Sequence, residues 1–143
     1  MQMKKASESH TVMSEIVLLS STNGSGRLFG GQIMSWMDIA GAICAKRHSG
    51  CEVVTVRVDH LSFLKPAMPN DVVVLTADLE SVGNTSMKIK ITAEIEPLGT
   101  GDTTERLLTS EAYFTYVAIG PMERNALCQN SNNNNKEKQR YSP

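Results

Sequence analysis

The chain has 143 residues, 41% of them hydrophobic and 20% charged, with a formal net charge of −1. That length supports one domain with a real core and not two, and the charge balance creates no field that would gather nucleic acid or an anionic membrane. The cysteines, Cys44, Cys51 and Cys128, are odd in number and lack C-x-x-C spacing, which speaks against a disulfide framework and a zinc site.

Residues 1–11 read as a polar, flexible leader whose two lysines, Lys4 and Lys5, precede no apolar stretch. A secretory signal is therefore not expected, nothing approaches the roughly 18–20 apolar residues of a membrane span, and a reduced, cytoplasmic domain is the expectation. Val12 to Leu19 reads as a first strand, and Ser20 to Gly26 (SSTNGSG) as a loop of turn formers. From Gly30 to about His48 the chain is free of proline and ends in Lys46, Arg47 and His48 before Ser49-Gly50. Those are helix length and helix-stop chemistry, with cations at the negative end of the dipole. Apolar side chains point in nearly every direction around this helix, which predicts burial within protein.

Four strand-like segments follow. Val53 to Phe63 sets Val54, Val56 and Val58 against Thr55, Arg57 and Asp59 with period two, and Pro66 lies just beyond it. Turns at Pro69-Asn70-Asp71, Val82-Gly83-Asn84 and Pro97 to Asp102 separate Val72–Leu79, Met87–Ile95 and Arg106–Ile119. Strands joined by tight turns favour antiparallel pairing, so the expected class is α+β, one sheet against one helix, over residues 12–122. Residues 123–143 are polar and aperiodic and are expected to be a disordered tail.

Asp38 is the only charge in the body of the helix. A buried, unpaired carboxylate is costly, so it needs partners or a raised pKa, unless it lies on a wet face. At the helix entrance, Gly30 and Gly31 leave first-turn N–H groups open at the positive dipole end, where they can serve as an oxyanion site or simply allow a tight turn. Asp38 lies seven residues after Gly31, on nearly the same face and about 10 Å along the axis. If the pair is catalytic, the distance calls for Gly31 of a second, antiparallel chain and hence a two-fold dimer.

The run TNGSGRLFGGQIMSWMDIAGAICAKR, followed by VVTVRVDHLSFLKP and VGNTSMKIKI, resembles the hotdog-fold acyl-CoA thioesterases, the cytosolic (brain-type) hydrolases and their short bacterial relatives above all. Its most specific parts are N-x-x-G-x-x-F-G-G, the Met-Asp pair starting six residues later, and F-x-x-P. The resemblance implies a five-stranded antiparallel sheet wrapped around one long helix, assembled as a homodimer and often a trimer of dimers. It implies hydrolysis of acyl-CoA to fatty acid and CoA without a cofactor or metal. Asp38 falls at the catalytic carboxylate, as general base for water or as nucleophile, Asn23 at the loop asparagine that helps hold water or thioester, and Gly31 at the oxyanion amide with Gly30 beside it. The CoA-binding turn falls on Gly83 to Lys88, where Thr85, Ser86 and Lys88 are the expected contacts, and Arg57 adds charge for the nucleotide. Asn84 replaces a basic residue that some relatives carry. A hotdog hydratase would call for a catalytic histidine near the helix, and none lies between Asn23 and Arg47; His10, His48 and His60 fall in the leader, at a helix end and in a strand. A non-hydrolytic acyl-CoA sensor is the other alternative. Cys44 is expected to be core filler.

Overall fold

The helix α1 runs Gly30–Ser49, close to the range that composition predicts. It stops at Gly50, whose left-handed φ of 67° is easy only for glycine and whose N–H donates to the Lys46 carbonyl at 2.8 Å. The structure, a computed structural model, describes residues 5–97 and 105–122. The expected tail, most of the Pro97 to Asp102 turn and Cys128 lie outside the described residues.

Five strands wrap α1: β1 (Thr11–Ile16), β2 (Cys51–Phe63), β3 (Val72–Val82), β4 (Ser86–Glu96) and β5 (Leu107–Pro121). They form one sheet in the order β1-β3-β4-β5-β2, and every described pairing is antiparallel. This is the hotdog arrangement, an α+β fold. The clean alternation of β4 has its expected effect: Met87, Ile89, Ile91 and Ala93 are buried against the helix while Lys88, Lys90 and Thr92 face outward. Phe114 and Tyr116 of β5 extend the same inner layer.

Three expectations need correction. The helix is not buried all round: Ile33, Trp36, Met37, Ala40, Gly41, Cys44 and Ala45 form a buried stripe, whereas Ile39 is 48% exposed. One sheet can cover only one side of a helix, so the other apolar face stays open in the protomer. Part of the expected 1–11 leader is structured: Ala6–Ser9 form a 3-10 turn, Ser9 is buried and Thr11 begins β1. The first strand stops at Ile16, and Leu19–Ser21 form a second 3-10 turn. No helix among the described residues is long and apolar enough to cross a membrane.

Candidate active site

Asp38 is half-buried and partnered. Thr55 Oγ1 of β2 donates to its Oδ1 at 2.5 Å. The Tyr116 hydroxyl of β5 lies 3.0 Å from the same Oδ1 and 2.8 Å from the Asp38 main-chain carbonyl. Thr55 and Tyr116 are direct partners in the β2–β5 register, so both reach the helix from one rung of the sheet. Of the possibilities open for Asp38, the structure therefore gives partners.

Thr55 faces the helix because β2 does not hold one period. Register shifts fall at Glu52/Val53, Thr55/Arg57 and Asp59/Ser62, and His60 takes a positive φ of 53° inside the last of them. Each bulge resets which side chains face inward. Val54 and Val56, which the alternation sets together with Val58 on one face, are exposed instead. Thr55 pairs with buried Tyr116, and Val58 with buried Phe114. The sequence pattern marks neither Thr55 nor Tyr116: Thr55 falls on the polar side of an alternating strand, and Tyr116 is one of three aromatic residues within four positions of the last strand.

Burial pushes the Tyr116 phenol well above its ordinary pKa, and the Asp38 charge and hydrogen bond push it the same way. The phenol therefore keeps its proton at neutral pH and acts as a donor. Cys44 is fully buried, and burial likewise raises its thiol pKa, although a hydrogen bond with Ser9 opposes the shift. That is the inert core thiol the sequence suggested.

At the helix entrance, Asn23 Oδ1 accepts from the Ser25 amide at 3.0 Å, the Ser25 hydroxyl at 2.9 Å and the Arg27 amide at 3.2 Å. The Asn23 N–H donates to the Arg27 carbonyl at 2.7 Å, so this side chain organises the loop that feeds the helix. Only its amide NH₂ is left for water or a thioester. Phe29 offers the helix no side-chain cap; its carbonyl accepts from the Gln32 amide at 3.0 Å, and among the described residues the Gly30 and Gly31 amides have no hydrogen-bond partner. Gly31 is exposed with nothing within 4 Å of where a Cβ would stand, while Gly30 lies against the Phe63 ring, 3.1 Å from that position. Asn23, Gly30, Ile33 and Phe63 line a cleft of about 390 Å³, and Arg27 and Lys65 add two cations to its wall. Those two cations were also missed, because each sits in a loop with no periodicity to mark it.

The expected CoA contacts divide between two places. Thr85 and Ser86 line a separate, largely apolar cleft of about 320 Å³ with His48, Cys51 and Met87. Arg57 and Lys88 flank Thr115 across the outer face of the sheet. There Arg57 Nε is 2.8 Å from Asp59 Oδ1, and Lys88 Nζ is 5.0 Å from the centre of the Tyr113 ring. Within one chain, Asn23 and Gly30 thus share a cleft, Thr85 and Ser86 another, and Asp38 lines neither. Among the described residues no group of His, Cys, Asp and Glu is placed to hold a metal.

A family model described as the thioesterase superfamily matches residues 25–101. An uncharacterized acyl-CoA thioester hydrolase of Haemophilus influenzae is 37% identical over 86% of this chain and 80% of its own length. The acyl-CoA thioester hydrolase YciA of Escherichia coli K12 is 39% identical over 77% of this chain and 83% of its own length. Among solved structures, a hexameric thioesterase from Yersinia pestis superposes with a TM-score of 0.70 at 40% identity, covering 76% of this chain and 86% of that one. An acyl-CoA hydrolase from Staphylococcus aureus, in complex with butyryl coenzyme A, coenzyme A and coenzyme A disulfide, superposes with a TM-score of 0.77 at 25% identity and covers 96% of both chains. The fold, the motif around Gly31 and Asp38, and these matches agree: the chain belongs to the thioesterase superfamily.

Proposed function

We propose that the protein is an acyl-CoA thioesterase in which Asp38 is the general base. The observation that carries this reading is the Asp38 carboxylate, held by Thr55 and Tyr116 in the middle of an otherwise apolar helix. A core with no chemical task would have no use for it. Water attacks the thioester carbonyl and passes a proton to Asp38. The developing oxyanion is held by the Gly31 N–H at the positive end of a helix. Collapse of the tetrahedral intermediate breaks the C–S bond, and the CoA thiolate takes the proton back from Asp38, giving fatty acid and free CoA. A thioester is activated enough for one carboxylate and one oxyanion donor to suffice, and the scheme uses no metal and no cofactor beyond the CoA of the substrate. The Asn23 amide holds the water or the thioester, Thr85, Ser86, Lys88 and Arg57 contact CoA, and Arg27 and Lys65 supply further positive charge for its phosphates.

With Asp38 as the base, the roughly 10 Å to its own Gly31 supports a composite site, in which the oxyanion amide comes from a second chain. Ile39 on the open helix face and Val54 and Val56 on edge strand β2 are apolar and exposed in the protomer, which favours a homodimer. A trimer of dimers is supported by the hexameric Yersinia relative. The free thiols Cys44 and Cys51 support a cytoplasmic location.

Thiol release from a panel of acyl-CoAs tests the reaction. Asp38→Ala and Asp38→Asn should each lower kcat by roughly 10²–10⁴-fold. Near-wild-type turnover by both variants would remove Asp38 from the mechanism. Binding of CoA esters by the wild type without turnover would favour a sensor.

A further inference from the structure

We infer that Tyr116 is the positioning residue of the Asp38 carboxylate and that Gly41 is a glycine in order to admit its phenol. The inference rests on Asp38 being the base. An aspartate side chain turns about two bonds, and a loosely held base spends little time in one orientation. The Tyr116 hydroxyl bridges the main-chain carbonyl and the Oδ1 of the same residue, at 2.8 and 3.0 Å. A donor shared in this way ties the side chain to its own helix backbone. Thr55 adds a second donor to Oδ1. Among the described residues no hydrogen bond reaches Oδ2, so this is the oxygen left to take the proton from water.

The phenol can stand there only because Gly41 lacks a side chain. A Cβ at that position would lie 2.2 Å from the Tyr116 oxygen, 2.8 Å from its ring and 2.6 Å from Ile91 Cδ1. Gly41 is three residues beyond Asp38, on the neighbouring turn of the same face. A glycine inside a helix weakens it, and the space it opens is filled by this hydroxyl. Tyr116 is fully buried, so the group is not there for solubility. Its raised pKa keeps it a donor.

Tyr116→Phe keeps the ring and removes the hydroxyl, so it is the primary test. Steady-state kinetics on an acyl-CoA should show kcat lower by roughly 10–100-fold with KM within about two-fold of wild type, the split expected when a base is misplaced and binding is not. In the Asp38→Asn background the same change should cost nothing more, because the oriented group is already gone. Gly41→Ala should lower kcat in the same way, and combined with Tyr116→Phe it should lose less than the sum of the two. Wild-type kcat in Tyr116→Phe, or a loss that adds in full to that of Asp38→Asn, would overturn the inference. If Asp38→Asn itself turns over normally, the base assignment fails first. If Asp38→Asn is inactive while Tyr116→Phe is unimpaired, only the positioning role fails.

Discussion

Two buried groups, the Tyr116 phenol and the Cys44 thiol, hold their protons to higher pH in the folded chain than their ordinary values of 10.0 and 9.0. A group whose folded pKa is raised contributes stability that is complete below its unfolded pKa and is lost as pH climbs toward the folded one. Both groups therefore leave neutral stability untouched and weaken the fold in alkali, Cys44 from about pH 9 and Tyr116 from about pH 10. Urea unfolding at pH 7, 9 and 10.5 should show a steeper alkaline fall for wild type than for Tyr116→Phe or Cys44→Ala, whatever those changes cost at pH 7. Parallel curves for wild type and both variants would show that these protons are not linked to folding. The same residues mark the limit of what patterning discloses. Asp38 was legible because a charge interrupts an apolar run. Thr55 and Tyr116 were not, because the rung that joins them exists only once β2 and β5 pair across a bulge.

At the scale of elements, the legible parts were those where one period holds from end to end. β4 alternates without a break and was placed to within a residue at each end, and the helix stop at Gly50 followed from its local chemistry. β2 was placed in sequence but not in phase, since three register shifts are a property of its pairing and not of its composition. The start of α1 carries a second distinction that sequence alone could not make. Two adjacent glycines look equivalent, yet Gly30 packs on Phe63 while Gly31 opens to solvent. Gly31→Ala should therefore fold as well as wild type or better, by up to about 1 kcal/mol, because alanine suits a helix and meets nothing there. Its kcat/KM should nonetheless fall by at least roughly 10-fold if a thioester oxygen approaches that amide, because a methyl group would stand in its path. Gly30→Ala should push the Phe63 ring, 54% exposed, and change thermal stability little. Melting curves with initial rates separate the two, and an unchanged kcat/KM in Gly31→Ala would remove that amide from the oxyanion site.

For the molecule as a whole, the open face of α1 bears on the proposed active unit. The sheet covers one stripe of the helix, and Ile39 with Val54 and Val56 of β2 remains outside any core the protomer can build. Apolar surface of that kind, beside a half-buried carboxylate, is the expected state of half of a composite site. Mixing subunits tests this directly. An Asn23→Ala subunit keeps Asp38, and an Asp38→Ala subunit keeps Asn23 and the loop that presents Gly31. If each site draws its carboxylate from one chain and its loop from the other, a mixed dimer contains one intact site and one doubly damaged site. Random reassociation of equal amounts makes half the dimers mixed, so activity should return to about a quarter of wild type, from parents that are each nearly inactive. If instead Asn23 and Asp38 serve one site within one chain, every site in every dimer carries a lesion and nothing returns. No recovery in a preparation shown to contain mixed dimers would therefore overturn a site that takes its carboxylate from one chain and its Asn23 loop from the other, and with it the two-chain answer to the roughly 10 Å between Asp38 and its own Gly31.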